Sequence, residues 1–280
     1  MILINTIEEA REEIRSARRE DKTIGFVPTM GAFHRGHMAL INAASEKCDY
    51  VAVSIFVNPT QFGLTEDYKR YPRGLDSDAA KCERAGVDLL FAPSADEMYP
   101  DGFNTWIEVG GLAQILEGKS RPGHFRGVAT VCAKLFNIVQ PDRAFFGTKD
   151  YQQLKVIEKM VRDLSLSVCI VPVETVREVD GLAMSSRNQY LSAAEREAAL
   201  VLHYALEDAK KAFKAGEKSA HTIQLMAENF INAEHPARID YVAVVDAETL
   251  QPITRIDRPT VVLLAVRIGT TRLIDNTLLE

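Results

Sequence analysis

Apolar residues along this chain fall in short dense runs separated by amphipathic stretches. "TIGFVPTM" (23–30), "YVAVSIFVN" (50–58) and "VDLLFAPS" (87–94) are runs of strand formers. The second is almost unbroken in apolar character, as a strand covered on both faces requires. Helical patterns lie around them. "TIEE" sets Thr6 and Glu9 at capping-box spacing, and small or apolar residues recur to Ala17, which predicts a helix over 6–20. Two more are predicted, from Gly36 to about Lys47 and over 74–86, where Gly86 stops the turn. Alternating strand and helix specifies a parallel sheet with right-handed crossovers. Ligands of such sheets bind beyond the carboxyl ends of the strands. The polar stretches "TMGAFHRGH" and "NPTQFG" both follow strand ends, so both belong at that edge.

Downstream, "HFRGVATVCAKLFNIV" (124–139) reads as a largely buried helix and "AFFG" (144–147) as a short strand. The loop "TKDYQQ", a helix to about Leu164 and a strand "SVCIVPVET" (167–175) follow. The character then changes. "REVDGLAMSSRNQYLS" is a long polar connector, and long ordered loops often carry function. Ser192 and Glu195 form a second capping box. It opens a helix with Ala198, Leu202, Ala205, Leu206, Ala209 and Phe213 on one face, ending at Gly216. A helix over 219–233 and two strands, 239–247 and 260–269, complete a small α+β tail. The fold class expected is α/β, a parallel-sheet domain over 1–175 followed by a smaller α+β domain over 176–280.

Composition narrows the partners. At 46% apolar and 26% charged residues over 280 positions, the chain is ordinary globular protein. A net charge of −6 argues against nucleic-acid or membrane-surface binding, while leaving room for a local positive cluster around an anionic small ligand. No apolar run reaches the roughly 18 residues of a membrane span. The start, "MILINTIEEAREEIRSARRED", is no signal peptide. Cys48, Cys82, Cys132 and Cys169 are scattered without a CxxC pair. They are expected as buried free thiols of a reducing cytosol, not as a zinc site.

Two imidazoles three residues apart, His34 and His37, open the second helix. A zinc reading lacks a third ligand, because His124 is the only other histidine before residue 200 and HExxH is absent. Packing alone is a second reading. Position favours a third, phosphate binding. A helix N-terminus offers backbone N–H groups and a positive dipole end, and Gly31 and Gly36 admit a phosphate close to the backbone. "GTKD" (147–150) adds Lys149, a compact cation, and Asp150, which suits a ribose hydroxyl, the lysine or a magnesium water. "MSSRN" (184–188) supplies Ser185, Ser186 and Arg187, hydroxyls and a guanidinium for clamping an anion. Asn58, Gln61 and Gln153 are neutral amides able to read hydroxyls and carboxylates. Each motif alone reads equally as surface. Together, without Walker A or GxGxxG, they point to nucleotidyl transfer built on HxGH.

"PTMGAFHRGH", "VSIFVNPTQFG", "YPR", "RPGHFRGVATV", "KLFNIVQPDRAFFGTKDYQQL", "DGLAMSSRNQYL" and, near the end, "RLIDN" occur in order. In these blocks the chain resembles the pantothenate synthetase (pantoate–β-alanine ligase) family of the HIGH nucleotidyltransferases. The resemblance implies a Rossmann-like first domain with a smaller C-terminal lid. It also implies a cytoplasmic homodimer using ATP and Mg²⁺ to join (R)-pantoate to β-alanine through pantoyl adenylate, with release of AMP and pyrophosphate. By position it implies that Met30, Gly31, Ala32, Phe33, His34, Arg35, Gly36 and His37 line ATP, with His37 the principal donor to its phosphates. Gly147, Thr148, Lys149 and Asp150 would join them, Val176 would meet adenine through its main chain, and Met184, Ser185, Ser186 and Arg187 would close on the phosphates. Gln61, Gln153 and Asn58 would hold pantoate, and Gln61 would also touch β-alanine. Asp78 and Asp150 are the magnesium candidates. Arg35 stands where the family often has an acid and Phe33 where it often has leucine; Arg35 is expected to face solvent. The chemistry needs no protein nucleophile, which fits a chain without a Ser-His-Asp or Cys-His pattern. A nucleotidyltransferase that stops after the first transfer and a non-catalytic nucleotide sensor are the rival readings.

Overall fold

The computed structural model describes residues 1–63 and 68–280. Its contacts divide the chain into two compact units, Met1–Thr148 with Gln152–Glu174, and Lys149–Tyr151 with Thr175–Glu280.

The first unit runs β1 (Ile2–Ile4), α1 (Ile7–Arg19), β2 (Ile24–Thr29), α2 (Arg35–Ser45), β3 (Tyr50–Ile55), α3 (Leu75–Arg84) and β4 (Leu89–Phe91). Two single turns follow, α4 (Ala95–Met98) and α5 (Glu117–Ser120). Then come α6 (His124–Val139), β5 (Arg143–Gly147), α7 (Tyr151–Asp163), whose first residue belongs to the second unit, and β6 (Cys169–Val173). The six strands form one parallel sheet in the order β1-β4-β3-β2-β5-β6.

The Thr6 half of the capping box is present: its hydroxyl accepts the Glu9 N–H at 3.3 Å and donates to the Glu9 carboxylate at 2.6 Å. Ala10, Ile14 and Ala17, one face of α1, are buried. Ile24, Phe26, Val27, Leu89, Leu90 and Phe91 are wholly buried, so helices cover both faces of the sheet as the unbroken apolar runs require. β1 was not expected. Three residues are too short to carry a period, and its Ile2 and Leu3 remain exposed. β3 is shorter than its apolar run. It stops at Ile55, and Asn58 instead caps a 3-10 turn, Pro59–Gln61. The chain leaves β2 for β3 and β4 on one side and returns to β5 on the other. A topological switch point therefore lies at the carboxyl end of β2, where Met30 to His37 begin.

The second unit contains α8 (Ala193–Ala198), α9 (Leu200–Lys214), α10 (Ala220–Asn232) and an antiparallel sheet of β7 (Ala237–Asp246), β8 (Thr260–Ile268) and β9 (Thr271–Leu279). The box at Ser192 is closed in both directions. The single helix expected after it is interrupted at Ala199. The face of Leu202, Ala205, Leu206 and Ala209 is buried with Val262, Leu264 and Val266 of β8. At about 1.5–3 kcal/mol per buried large aliphatic side chain, this face holds the helices to the sheet. The tail has three strands, not two. β9 carries Arg272, Asp275, Asn276 and Thr277 within its length, and these polar residues conceal it from an apolar-run reading.

The connector expected to be a long polar loop is a folded hairpin. Arg177 pairs with Ala183, and the N–H of Glu178 donates to Leu182 O at 2.8 Å. Leu182 and Ala183 are buried. Arg196 grips Glu178 and Asp180 from the side, at 2.7 and 2.9 Å.

Candidate functional site

In the first unit the turn from β2 to α2 is built on two consecutive left-handed residues, Gly31 (φ 80°) and Ala32 (φ 56°). That conformation points the Ala32 and Phe33 N–H groups the same way. Asp78 of α3 fills the nest they form, accepting them at 2.7 and 3.0 Å. Lys81 closes the arrangement, donating to Asp78 at 3.2 Å and to Phe33 O at 2.9 Å. Asp78, 2% exposed, has thus committed its oxygens to three protein donors. The sequence offered it as a magnesium ligand; the structure gives it the job of fastening the histidine turn. Among the described residues, no three or more His, Cys, Asp or Glu gather into a group able to hold a metal.

His34 caps α2. Its Nδ1 accepts the Gly36 N–H at 3.1 Å, and His37 Nδ1 accepts the His34 N–H at 3.3 Å. The rings lie 4.2 Å apart between centroids. Gly36 is required here, since a Cβ would stand 2.9 Å from the His34 ring. A ring nitrogen that accepts a backbone N–H carries no proton, so both neutral imidazoles hold theirs on Nε2. Phe33 is buried against His37, at 5.3 Å between ring centroids, and Arg35 is exposed as expected. A cavity of about 270 Å³ opens at this edge, lined by Met30, Gly31, Ala32, Ile55, Phe56 and Asp78 among others.

The 3-10 turn after β3 supplies the amides. Gln61, 8% exposed, donates through Nε2 to Met30 Sδ at 2.9 Å, which links the two polar motifs directly. Asn58 is 1% exposed and fully engaged. Its Nδ2 donates to Gln61 Oε1 and Gly127 O at 3.1 and 3.2 Å, and its Oδ1 takes the Thr60 and Tyr99 hydroxyls, both at 2.9 Å. It orients Gln61 and has no atom left for pantoate, the role expected of it. Gln153 stands half-buried on the first turn of α7. Its neighbour Gln152 is structural, donating to Leu112 O and Ile115 O at 2.6 and 2.8 Å.

Three residues here escaped the sequence reading. His124 opens α6 and donates from Nδ1 to Gln61 O at 2.9 Å, while Arg121 donates to its Nε2 at 3.0 Å. Its tautomer is the reverse of the other two. Gly127 lets α6 touch the turn, because a Cβ there would lie 2.4 Å from Thr60 O. The available signal was "RPGHFRG", a histidine and a glycine opening an otherwise apolar helix.

Gly147 closes β5 and Thr148 opens the 3-10 turn Thr148–Asp150 in the first unit, whereas Lys149 and Asp150 belong to the second. Lys149 Nζ is 4.0 Å from the exposed Asp150 carboxylate. In the second unit Val176 O accepts the Met184 N–H at 3.0 Å, so that part of Val176's main chain serves the hairpin. Ser185 caps the turn Ser186–Tyr190, its hydroxyl accepting the Arg187 N–H at 3.2 Å. Met184, Ser185, Ser186 and Arg187 are all half-buried. The cysteines are free thiols. Burial pushes Cys82 and Cys132 up to about 12, which makes them inert, while Cys48 is half-buried and Cys169 exposed rather than buried as expected.

The chain matches the family model of pantoate–β-alanine ligase over residues 2–278. It is 54% identical to the pantothenate synthetase of Pelotomaculum thermopropionicum, covering all of this chain and 99% of that one. It is 53% identical to the pantothenate synthetase of Moorella thermoacetica, again over all of this chain and 99% of the relative. Among solved structures it superposes on pantothenate synthetase from Thermus thermophilus with a TM-score of 0.94, at 48% identity and 99% coverage of both chains. On pantoate–β-alanine ligase from Francisella tularensis, complexed with β,γ ATP and β-alanine, the TM-score is 0.82 at 37% identity, covering 99% of this chain and 97% of that one.

Proposed function

The chain belongs to the pantoate–β-alanine ligase family, and we propose that it condenses (R)-pantoate with β-alanine at the expense of ATP, through pantoyl adenylate. The observation that carries this is the histidine pair. Both Nδ1 atoms are tied to backbone N–H groups, so both Nε2–H donors stand at the switch point of a parallel sheet.

A free carboxylate does not acylate an amine, because oxide is its leaving group. In the first half-reaction the pantoate carboxylate attacks the α-phosphorus of ATP in line and pyrophosphate leaves. Charge grows on the phosphate oxygens, and fixed donors stabilise it without reorganising. In the first unit His34 and His37 would supply two such donors; in the second, Lys149, Ser185 and Arg187 have the chemistry of phosphate donors. Gln61 and Gln153 would orient pantoate by its hydroxyls and carboxylate, and Gln61 would contact β-alanine. In the second half-reaction the free amine of β-alanine attacks the acyl carbon, AMP departs, and the nitrogen loses its extra proton. The buried polar groups that hold Gln61 and the histidine turn act by pre-organisation. Among the described residues, no three or more His, Cys, Asp or Glu gather into a cage for magnesium. The ion would be held by the nucleotide's own phosphates and would there neutralise their charge, with Asp150 the remaining one of the two carboxylate candidates.

The working form proposed is a cytoplasmic homodimer. Four free thiols fit a reducing compartment, and no helix among the described residues is long and apolar enough to cross a membrane. The test is to supply ATP, Mg²⁺ and pantoate labelled with ¹⁸O in its carboxylate, with and without β-alanine. One label should reach AMP, and sustained AMP release should need both substrates. Unlabelled AMP would exclude the adenylate. Pyrophosphate turnover with no need for the amine would favour a simple nucleotidyltransferase.

A further inference from the structure

"RLIDN" (272–276) has no part in the chemistry above, yet its last two residues are buried polar groups of β9, Asp275 at 2% exposure and Asn276 at 8%. Asn276 Nδ2 donates to the main-chain oxygen of Lys149 at 2.9 Å. Asp275 takes the Arg177 guanidinium in bidentate fashion, at 2.7 and 2.9 Å. Arg177 also donates to Gly181 O at 3.0 Å, across the hairpin that leads directly into Ser185–Arg187. The two β9 residues are themselves joined, the Asn276 N–H donating to Asp275 Oδ1 at 2.8 Å. Tyr151 completes the hold on the lysine segment, its hydroxyl donating to Ala247 O at 2.9 Å.

An ion pair with its carboxylate buried and its guanidinium half-buried, together with a buried amide, is a poor way to stabilise a small sheet, since apolar residues of similar size commonly do as well or better. What they supply is directional geometry. Lys149 and the Ser185–Arg187 turn are 36 or more residues apart in sequence, and β9 gives both one rigid reference. We propose that Asp275 and Asn276 are positioning residues that set the Lys149 turn and the Ser–Arg hairpin in fixed register for the adenylation step. The proposal rests on the assignment of those groups to the phosphates of ATP.

The decisive substitution is Asn276→Asp, which keeps the shape and turns a donor to Lys149 O into an acceptor. Single-turnover formation of pantoyl adenylate should slow roughly 10- to 100-fold, the cost of a misplacement near 1 Å. Aminolysis of chemically prepared pantoyl adenylate by β-alanine should stay within about twofold. Because Asn276 acts through Lys149, the same change made on a Lys149→Ala background should cost less than about twofold. Equal losses on both backgrounds, or a folded variant with normal adenylation, overturn the proposal. Asn276→Ser, neutral and smaller, passes through the same cycle should the aspartate variant fail to fold, and must show the same non-additivity. If the unmodified protein makes no adenylate, the functional reading has failed; if it does and the variants match it, only the positioning role has.

Discussion

Replacing Gly127 by alanine tests how the amide side of the site is held. Gly127 sits one turn into α6, where the helix presses on the backbone of Thr60 and Gln61. A Cβ there would lie 2.4 Å from Thr60 O and 2.7 Å from Gln61 N. Non-bonded atoms settle at about 3.5–4.0 Å, so the turn must retreat by roughly 1 Å. The neighbour is backbone and cannot swing aside. Retreat also stretches two bonds, Asn58 Nδ2 to Gly127 O at 3.2 Å and His124 Nδ1 to Gln61 O at 2.9 Å. Overpacking costs about 1–3 kcal/mol, and a weakened buried hydrogen bond about 1 kcal/mol more. Removing a glycine from a helix interior returns about 1 kcal/mol. The net expectation is a loss of about 1–3 kcal/mol, which at about 2–4 °C per kcal/mol lowers the apparent melting temperature by roughly 2–12 °C. The functional effect should be selective. An amide displaced by about 1 Å can cost up to roughly a hundredfold in kcat/KM; that loss belongs to pantoate, while KM for ATP should move less than about threefold. Gly110→Ala is the control, since nothing lies within 4 Å of its Cβ and its φ is −74°. Thermal unfolding and steady-state kinetics read both quantities. Wild-type melting together with wild-type pantoate kinetics in Gly127→Ala would refute the close-approach reasoning.

His37→Ala should slow adenylate formation by roughly 10²–10³, the size of losing one transition-state donor; rapid quench with labelled ATP measures it, and an unchanged rate removes His37 from the site. Asp78→Asn keeps one acceptor but turns an amide N–H toward a backbone donor, costing about 1–3 kcal/mol. Its magnesium requirement at saturating ATP should be unchanged, and a tenfold rise would show that Asp78 ligates the ion after all. Gly181→Ala should destabilise the hairpin of the second unit, because φ is 98° and a Cβ would stand 2.1 Å from the His203 ring. Hydrogen exchange should quicken over residues 176–188 in that variant, and unaltered protection would contradict the geometry. Gln153→Ala should weaken pantoate more than ATP, and equal losses in a binding titration would remove it from the acid's pocket.

The parallel sheet was readable because its strands are buried on both faces, which makes them uninterrupted apolar runs, and because Thr6 and Ser192 mark helix starts by the chemistry of their side chains. β9 was hidden for the opposite reason. Its buried positions include the consecutive Asp275 and Asn276, so burial there follows hydrogen bonding, not hydropathy. The hairpin at 176–184 reads as a loop in the sequence because its order comes from Arg177 and Arg196, whose partners lie 98 residues downstream in one case and within the hairpin in the other. Long-range ion pairs leave no local period. Residue types at the candidate site were legible; their commitments were not.

That difference matters because a side chain serves a ligand only with atoms the fold has left it. Asn58 and Asp78 have the right chemistry for pantoate and for magnesium, and both stand beside the residues that would do the work. Each has spent its polar atoms on protein partners, with 1% and 2% of its surface exposed. The histidines show how a local bond sets a tautomer. His34 and His37 each give Nδ1 to a backbone N–H, which places the remaining proton on Nε2. His124 gives its Nδ1 proton to a carbonyl and accepts from Arg121, the arrangement of a strut. Three imidazoles of one chemical type are thus sorted into two tautomers by which backbone group each faces. The sorting is done by local turns: a capped helix start for the first two, and a helix pressed against a 3-10 turn for the third. Substitution at His124 should accordingly act through the placement of Gln61, whereas substitution at His37 should act on the phosphates directly. A His124→Asn variant, whose amide can still donate to Gln61 O, should therefore recover pantoate affinity relative to His124→Ala while leaving the adenylation rate at saturation unchanged, and equal pantoate affinity in the two variants would mean that His124 holds nothing in place.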